Sequence, residues 1–421
     1  MAAESGTKRN VIVGQSGGPT AAINSSLAGV YHAAKNLGYS HVYGMLHGVQ
    51  GLLENRYIDL SDHLKTGLDL ELLKRTPSAY LGSCRYTLPE INDDSVLYEK
   101  LFAILEDLEI DVFIYIGGND SMDTVRKLSD YAIITGSRIR FVGSPKTIDN
   151  DVSHTDHTPG FGSAAKYIAT SVKEVIRDGW CLELSGGQVL VIEIMGRDAG
   201  WLTGASALSR GEDCDGPDAI YLPEIPFDVN EFVGRCKNLL KKKNCVVMCV
   251  SEGIRTADGT YISEMENKDA FTDAFGHRQL TGTARYLSGI VAKECGCKTR
   301  AIEFSSLQRA ASHCASRTDI EEAFECGAAS VKAADEGDSG KMVVLVRTSN
   351  DPYKITTDIK DVHKIANVVK LVPREWVNEE GVYVTDDFLR YVRPLIMGDI
   401  DPITVDGIPR HLYVPGYHDL L

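Results

Sequence analysis

Val112-Phe113-Ile114-Tyr115-Ile116 runs directly into Gly117-Gly118-Asn119-Asp120-Ser121. An apolar, β-branched run that stops at two glycines reads as a buried strand followed by a tight loop. The same succession recurs along the chain. Residues 11–13 lead into Gly14-Gln15-Ser16-Gly17-Gly18, and residues 140–143 lead into Pro145-Lys146-Thr147-Ile148-Asp149-Asn150-Asp151. Residues 189–194 lead into Met195-Gly196-Arg197, residues 246–251 end at Glu252-Gly253, and 342–346 close the series. Helix-like stretches at 21–37, 98–108, 161–178, 231–242 and 320–333 fall between these runs. Alternating βα units predict an α/β protein with a mostly parallel sheet. In such folds, ligands bind outside the carboxyl ends of the strands. The unusual residues of this chain all stand there.

The rest of the composition narrows the class. A length of 421 residues suits two to three domains, and 43% hydrophobic with 24% charged residues is ordinary for a globular protein. No run approaches the ~20 apolar residues of a membrane span, and the opening residues 1–10 are polar, so a cytoplasmic protein is expected. Asp and Glu outnumber Lys and Arg by 59 to 44, and the one basic block, residues 241–243, reads as a solvated helix end. Nucleic acid is therefore not an expected partner. The ten cysteines lack paired Cys-x-x-Cys knuckles and read as free, mostly buried thiols. No repeat of 20–50 residues is present.

Each strand-end segment has a chemical and a plain reading. Gly17-Gly18 suits an anion bound by backbone N–H groups, or a tight turn. Asn119 and Asp120 offer oxygens to a metal–phosphate complex, or Asp120 caps a helix. Lys146, Thr147, Asp149 and Asp151 combine a cation, a hydroxyl and two carboxylates within six residues, as phosphoryl transfer requires, although a solvated turn has the same composition. Arg197 suits phosphate or sugar oxygens, and Glu252 suits sugar hydroxyls. Arg300 and Arg309 flank a non-periodic stretch. Neither Gly-x-Gly-x-x-Gly nor Gly-x-x-x-x-Gly-Lys-Ser/Thr is completed at a useful place, which weakens Rossmann and Walker readings.

Taken together and in order, these segments resemble the phosphofructokinase family over residues 11–319, which implies an α/β protein of two similar doubly wound, mostly parallel-sheet domains with the site in the cleft between them. The resemblance rests on Ser16-Gly17-Gly18, Gly82-Ser83-Cys84-Arg85, Gly117 to Ser121, Thr147 to Asp151, Met195 to Arg197, Glu252 and Gln308-Arg309. Within the family, Asp120 and Lys146 resemble the pyrophosphate-dependent branch, since ATP-using members have glycine at both positions. The implied reaction is transfer of a phosphoryl group from pyrophosphate to the 1-hydroxyl of fructose 6-phosphate, with Mg²⁺. An ATP-dependent enzyme and a non-catalytic sugar-phosphate-binding subunit of the same fold are the rivals. The resemblance implies Asp149 as the base and Lys146 as the stabiliser of transferred charge. It places Gly17, Gly18, Arg85 and Ser121 on pyrophosphate and Asn119 on the metal. It places Thr147, Ile148, Asp149, Asp151, Met195, Gly196, Arg197, Glu252, Ser306, Gln308 and Arg309 on the sugar side. Arg300 is expected to reach the sugar's 6-phosphate from a neighbouring subunit of a homodimer or homotetramer.

The chain departs from the family pattern at three places. Asn119 replaces a metal-associated aspartate. Gln188, seven residues before Met195, replaces an arginine that helps bind the 6-phosphate. Ser306 stands where histidine or tyrosine is usual. The expected division is 1–160 with 308–370 on the donor and metal side, and 161–307 with 371–421 on the sugar side. Replacing Asp120 by glycine is expected to admit ATP weakly, and replacing Lys146 as well to improve it. The proline-containing tail, 394–421, shows no period.

Overall fold

The computed structural model describes residues 10–182, 187–265 and 280–414. Most of the opening polar segment and the end of the tail, with Pro415, lie outside the described residues. Eleven of the thirteen strands among them form two sheets, and the other two pair as a short hairpin at Thr404–Val405 and Ile408–Pro409. The larger contains β1 (Asn10–Gln15), β2 (His41–Met45), β3 (Tyr57–Asp59), β4 (Ile110–Gly117), β5 (Arg140–Pro145), β10 (Lys341–Asn350) and β11 (Tyr353–Asp361), in the order β11-β10-β5-β4-β1-β2-β3. The five central strands are parallel, and β3 and β11 run antiparallel at the two edges. The smaller sheet contains β6 (Gln188–Ile194), β7 (Ala219–Tyr221), β8 (Cys245–Ser251) and β9 (Lys298–Glu303), all parallel, in the order β7-β8-β6-β9.

The opening run becomes β4 because both of its faces are covered. Val112, Ile114 and Ile116 pack into one apolar cluster, and Phe113 and Tyr115 into another on the opposite face. Full burial of each aliphatic side chain contributes roughly 1.5–3 kcal/mol. Strands of this kind read as continuous apolar runs, since neither face meets water. The helix Phe161–Cys181 leads into the smaller sheet and packs its buried stripe with Leu190, Ile192, Trp201 and Phe388.

The chain then returns to the larger sheet. The helix Arg317–Asp335 packs on the helix Ile23–Asn36, and β10 adds beside β5. Those two helices cross so closely that glycine is required on both. A Cβ at Gly29 would stand 2.0 Å from the Phe324 carbonyl oxygen, and one at Gly327 would stand 1.9 Å from that of Ser26. Gly29→Ala should therefore destabilise the protein by about 1–3 kcal/mol, the usual cost of overpacking, visible as a lower midpoint in thermal unfolding.

Candidate active site

The carboxyl ends of β1, β4, β5, β6, β8 and β9 carry the segments singled out above, and all six meet in one cleft. Three connected spaces fill it. The innermost, about 160 Å³, lies between Gly17, Gly18 and Arg85 on one side and Asn119, Asp120, Ser121, Lys146, Asp149 and Asp151 on the other. The middle one, about 410 Å³, joins Asp149 and Asp151 to Met195, Arg197, Glu252 and Arg309. The third, about 310 Å³, extends past Arg309 to Glu193, Ser306 and Gln308.

The inner space is built around Lys146. Its side chain is buried, and Nζ donates to the carbonyl oxygens of Ser16 (2.7 Å) and Gly18 (2.8 Å). Gly17 takes φ +76°, its N–H donates to the Cys84 carbonyl, and its own carbonyl accepts from Ser83 Oγ at 2.6 Å. The 83–85 segment thus braces the glycine loop and delivers Arg85. Opposite, the helix Asn119–Thr135 begins at the mouth of the space, with Asp120 exposed in its first turn. Its free N–H groups and dipole favour an anion. Gly117 is needed because a Cβ there would meet Ser121 Oγ at 1.9 Å.

Burial governs the charges. Desolvation pulls the Lys146 ammonium down to about 8, against the opposing pull of Asp149. It pushes the Asp149 carboxyl above the ordinary carboxylate range, despite a hydrogen bond from Thr147 Oγ1 (3.2 Å) and the nearby cations Lys146, Arg197 and Arg309. Burial and the Asp149 charge raise Asp151 to about 7. The same two causes, with Glu193, raise Glu252 to about 8. Such a cluster of destabilised carboxylates beside cations marks a site held ready for a charged ligand.

The amide oxygen of Asn119 is buried and has no hydrogen-bond partner, while its Nδ2 points to the Asp151 carbonyl at 3.5 Å. Asp151 and Asp120 line the same space. Among the described residues no three His, Cys, Asp or Glu side chains converge on one point. The donor set fits a hard divalent cation completed by ligand oxygens and water, the habit of Mg²⁺, and excludes an all-protein cage.

The remaining expected residues divide into those in the cleft and those outside it. Thr147, Ile148 and Ser306 line it; Gly196, at φ +146°, shapes its wall. Gln308 is buried and committed to the backbone, accepting from Met195 N and donating to the Ser305 carbonyl, so it braces the wall. Gln188 lies near the Arg300 end of the smaller sheet. It opens β6, at the end away from the cleft, and its amide donates to the Gly179 carbonyl at 2.8 Å. Its replacement of arginine therefore leaves the sugar side of this chain's own cleft unchanged. Arg300 lies on β9, an exposed edge strand, and lines none of the three spaces. Glu193 was missed. It is buried in β6, accepts from Ala284 N at 2.8 Å, and is raised to about 7 chiefly by burial. The cysteines are free as expected, but only five of the ten are buried.

The phosphofructokinase family model matches residues 10–333, which contain the six strand ends that meet in the cleft. The chain belongs to the phosphofructokinase family. Among its relatives is the pyrophosphate–fructose 6-phosphate 1-phosphotransferase of Halomonas elongata, 38% identical over 96% of this chain and 95% of that protein. The same-named protein of Xanthomonas campestris is 37% identical over 96% of each chain. A crystal structure of pyrophosphate-dependent phosphofructokinase from Nitrosospira multiformis superposes with a TM-score of 0.86 at 34% identity, covering 96% of this chain and 95% of that one. These phosphofructokinases match the chain well beyond residue 333, so the returning strands and the helix Asp386–Val392 belong to the shared architecture.

Proposed function

We propose that this chain transfers a phosphoryl group from pyrophosphate to the 1-hydroxyl of fructose 6-phosphate, reversibly and with Mg²⁺. The observation that carries the reading is the inner space. It places Asp120 beside Gly18, Arg85, Lys146 and Asp149, where the donor's phosphates would lie. A short inorganic donor suits it, and a carboxylate there repels further phosphate and nucleoside. Asp149 accepts the proton of the attacking hydroxyl as the new P–O bond forms and the bridging P–O bond breaks, releasing phosphate. Lys146 and Arg85 hold the charge of the transferred and leaving groups. Arg197, Glu252 and Arg309 orient the sugar, and Glu252, protonated near neutrality, donates as well as accepts a hydrogen bond. Asn119 and Asp151 would hold Mg²⁺, which supplies neutralisation of the donor's charge. The deciding experiment is a coupled assay that exchanges ATP for pyrophosphate; turnover with ATP alone would overturn the reading.

Asp120→Gly should make ATP a detectable competitor of pyrophosphate. If ATP inhibits wild type and variant equally poorly, the exclusion lies elsewhere. The burial of Lys146 changes what a second substitution does. Lys146→Gly unseats the carbonyls of Ser16 and Gly18 and should lose both donors rather than favour ATP.

The charge states predict a bell-shaped pH profile of kcat/KM. A raised carboxyl loses its function as pH falls through its pKa, so the acid limb set by Asp149 should lie above the ~3.9 of an ordinary aspartate. A lowered lysine loses its charge as pH rises, so Lys146 should set an alkaline limb near 8. Bound pyrophosphate stabilises the ammonium and should move that limb upward in kcat. A profile flat from pH 7 to 9 would exclude the lysine.

The finer expectations follow the same reading. Because Arg300 lies on an exposed edge away from the cleft, its proposed role on the 6-phosphate requires a second copy, as in a homodimer or homotetramer. Light scattering on the purified protein tests this. No described helix is long and apolar enough to cross a membrane, and with ten free cysteines a cytoplasmic location is proposed.

A further inference from the structure

The catalytic turn is held from behind by residues that no strand-end motif contains. Asn150, between Asp149 and Asp151, is wholly buried and left-handed, with φ +53°. Asparagine enters this region more readily than most residues, and here its surroundings hold it there. Three groups do so. Asn150 Nδ2 donates to Tyr391 Oη at 2.9 Å, and its Oδ1 accepts from Thr158 N at 3.1 Å and Lys370 Nζ at 3.4 Å.

Both outer partners are themselves anchored. Lys370 Nζ donates to the carbonyls of Asp156 (2.7 Å) and Thr155 (3.3 Å), and its main-chain N–H donates to the Asp151 carbonyl at 2.7 Å. Trp201 Nε1 donates to the Lys370 carbonyl at 2.9 Å. Tyr391 Oη donates to the Asp156 carbonyl at 2.6 Å, and its ring packs between Trp201 and Trp376, at 5.3 and 5.2 Å. Neither Lys370 nor Tyr391 lines the cleft. Trp201, Trp376 and Tyr391 belong to the apolar cluster of the smaller sheet, so the turn after β5 of the larger sheet is pinned by the other half of the molecule.

We infer that Lys370 and Tyr391 are positioning residues for phosphoryl transfer: they clamp Asn150 so that the Asp149 carboxylate is presented to the sugar hydroxyl. This rests on the reading of Asp149 as the base, and it extends the machinery beyond the strand-end motifs. The clamp acts on the placement of one carboxylate, so its loss should appear in kcat and leave substrate affinity nearly intact.

The test is a double-mutant cycle between the clamp and the base. Tyr391→Phe keeps the ring and removes one hydroxyl; Lys370→Met keeps the stem and removes the ammonium. Each should lower kcat by about ten-fold with both KM values within about two-fold, since sub-ångström misplacement of a reacting group is enough for such a loss. In an Asp149→Asn background the same substitutions should change kcat by less than about two-fold, because there is no base left to place. An equal ten-fold loss in both backgrounds would show general damage and overturn the inference, as would an unchanged kcat for Tyr391→Phe. Should Lys370→Met fail to fold, Tyr391→Phe decides alone. Failure of the base reading looks different: Asp149→Asn itself would then keep its activity.

Discussion

Asp149→Asn is expected to lower kcat by ~10²–10⁴, the usual contribution of a general base, with little change in the KM for fructose 6-phosphate. The substitution keeps shape, and an amide oxygen still accepts from Thr147 Oγ1. What disappears is the capacity to take a proton. The raised pKa of Asp149 adds a second expectation. Folding disfavours its ionised form, so the neutral amide should leave the protein at least as stable near neutrality. Activity and thermal midpoint should therefore move apart, as expected where a site has been purchased with stability. A variant that keeps more than a tenth of wild-type kcat would remove Asp149 from this role.

Lys146→Met should lower kcat by about 10²–10³, the range for removing one preorganised group that stabilises charge in the transition state. Unlike the aspartate variant, it should also raise the KM for pyrophosphate. Lys146 Nζ ties Ser16 to Gly18, so its loss frees two buried carbonyls and loosens the loop that cradles the donor. Steady-state kinetics with each substrate varied in turn separates the two effects. An unchanged pyrophosphate KM would confine the lysine to the transition state, and an unchanged kcat would exclude it from catalysis.

The sequence was informative where burial and chemistry fall on neighbouring residues. An apolar run ending in glycine marks both a doubly covered strand and the loop at its tip, and β1, β4, β5, β6 and β8 were all legible in that way. Edge strands were not. Lys298-Thr299-Arg300 carries no apolar face because β9 is exposed along its outer side, and β11 alternates with charged residues for the same reason. Glu193 was hidden inside an apolar strand, where a single acid reads as an irregularity until its backbone partner at the start of the distant helix Thr283–Cys295 is seen. Lys370 and Tyr391 lay beyond reach for a simpler reason. They meet Asn150 across 220 and 241 residues of chain, and no local pattern encodes that meeting.

The return of the chain to its first sheet bears on how the protein is made. β5 is translated about 200 residues before the strand that covers its outer edge, since β5 ends at Pro145 and β10 begins at Lys341. At ordinary rates of synthesis that interval lasts on the order of 10–40 s, with the partner strand still inside the ribosome or not yet made. During it, the nascent half-molecule exposes an unpaired sheet edge, the surface most apt to recruit another chain. The yield of soluble enzyme should thus depend on translation speed and on chaperones that shield that edge, and a transcript ending before codon 341 should produce an aggregating fragment rather than a donor-binding half.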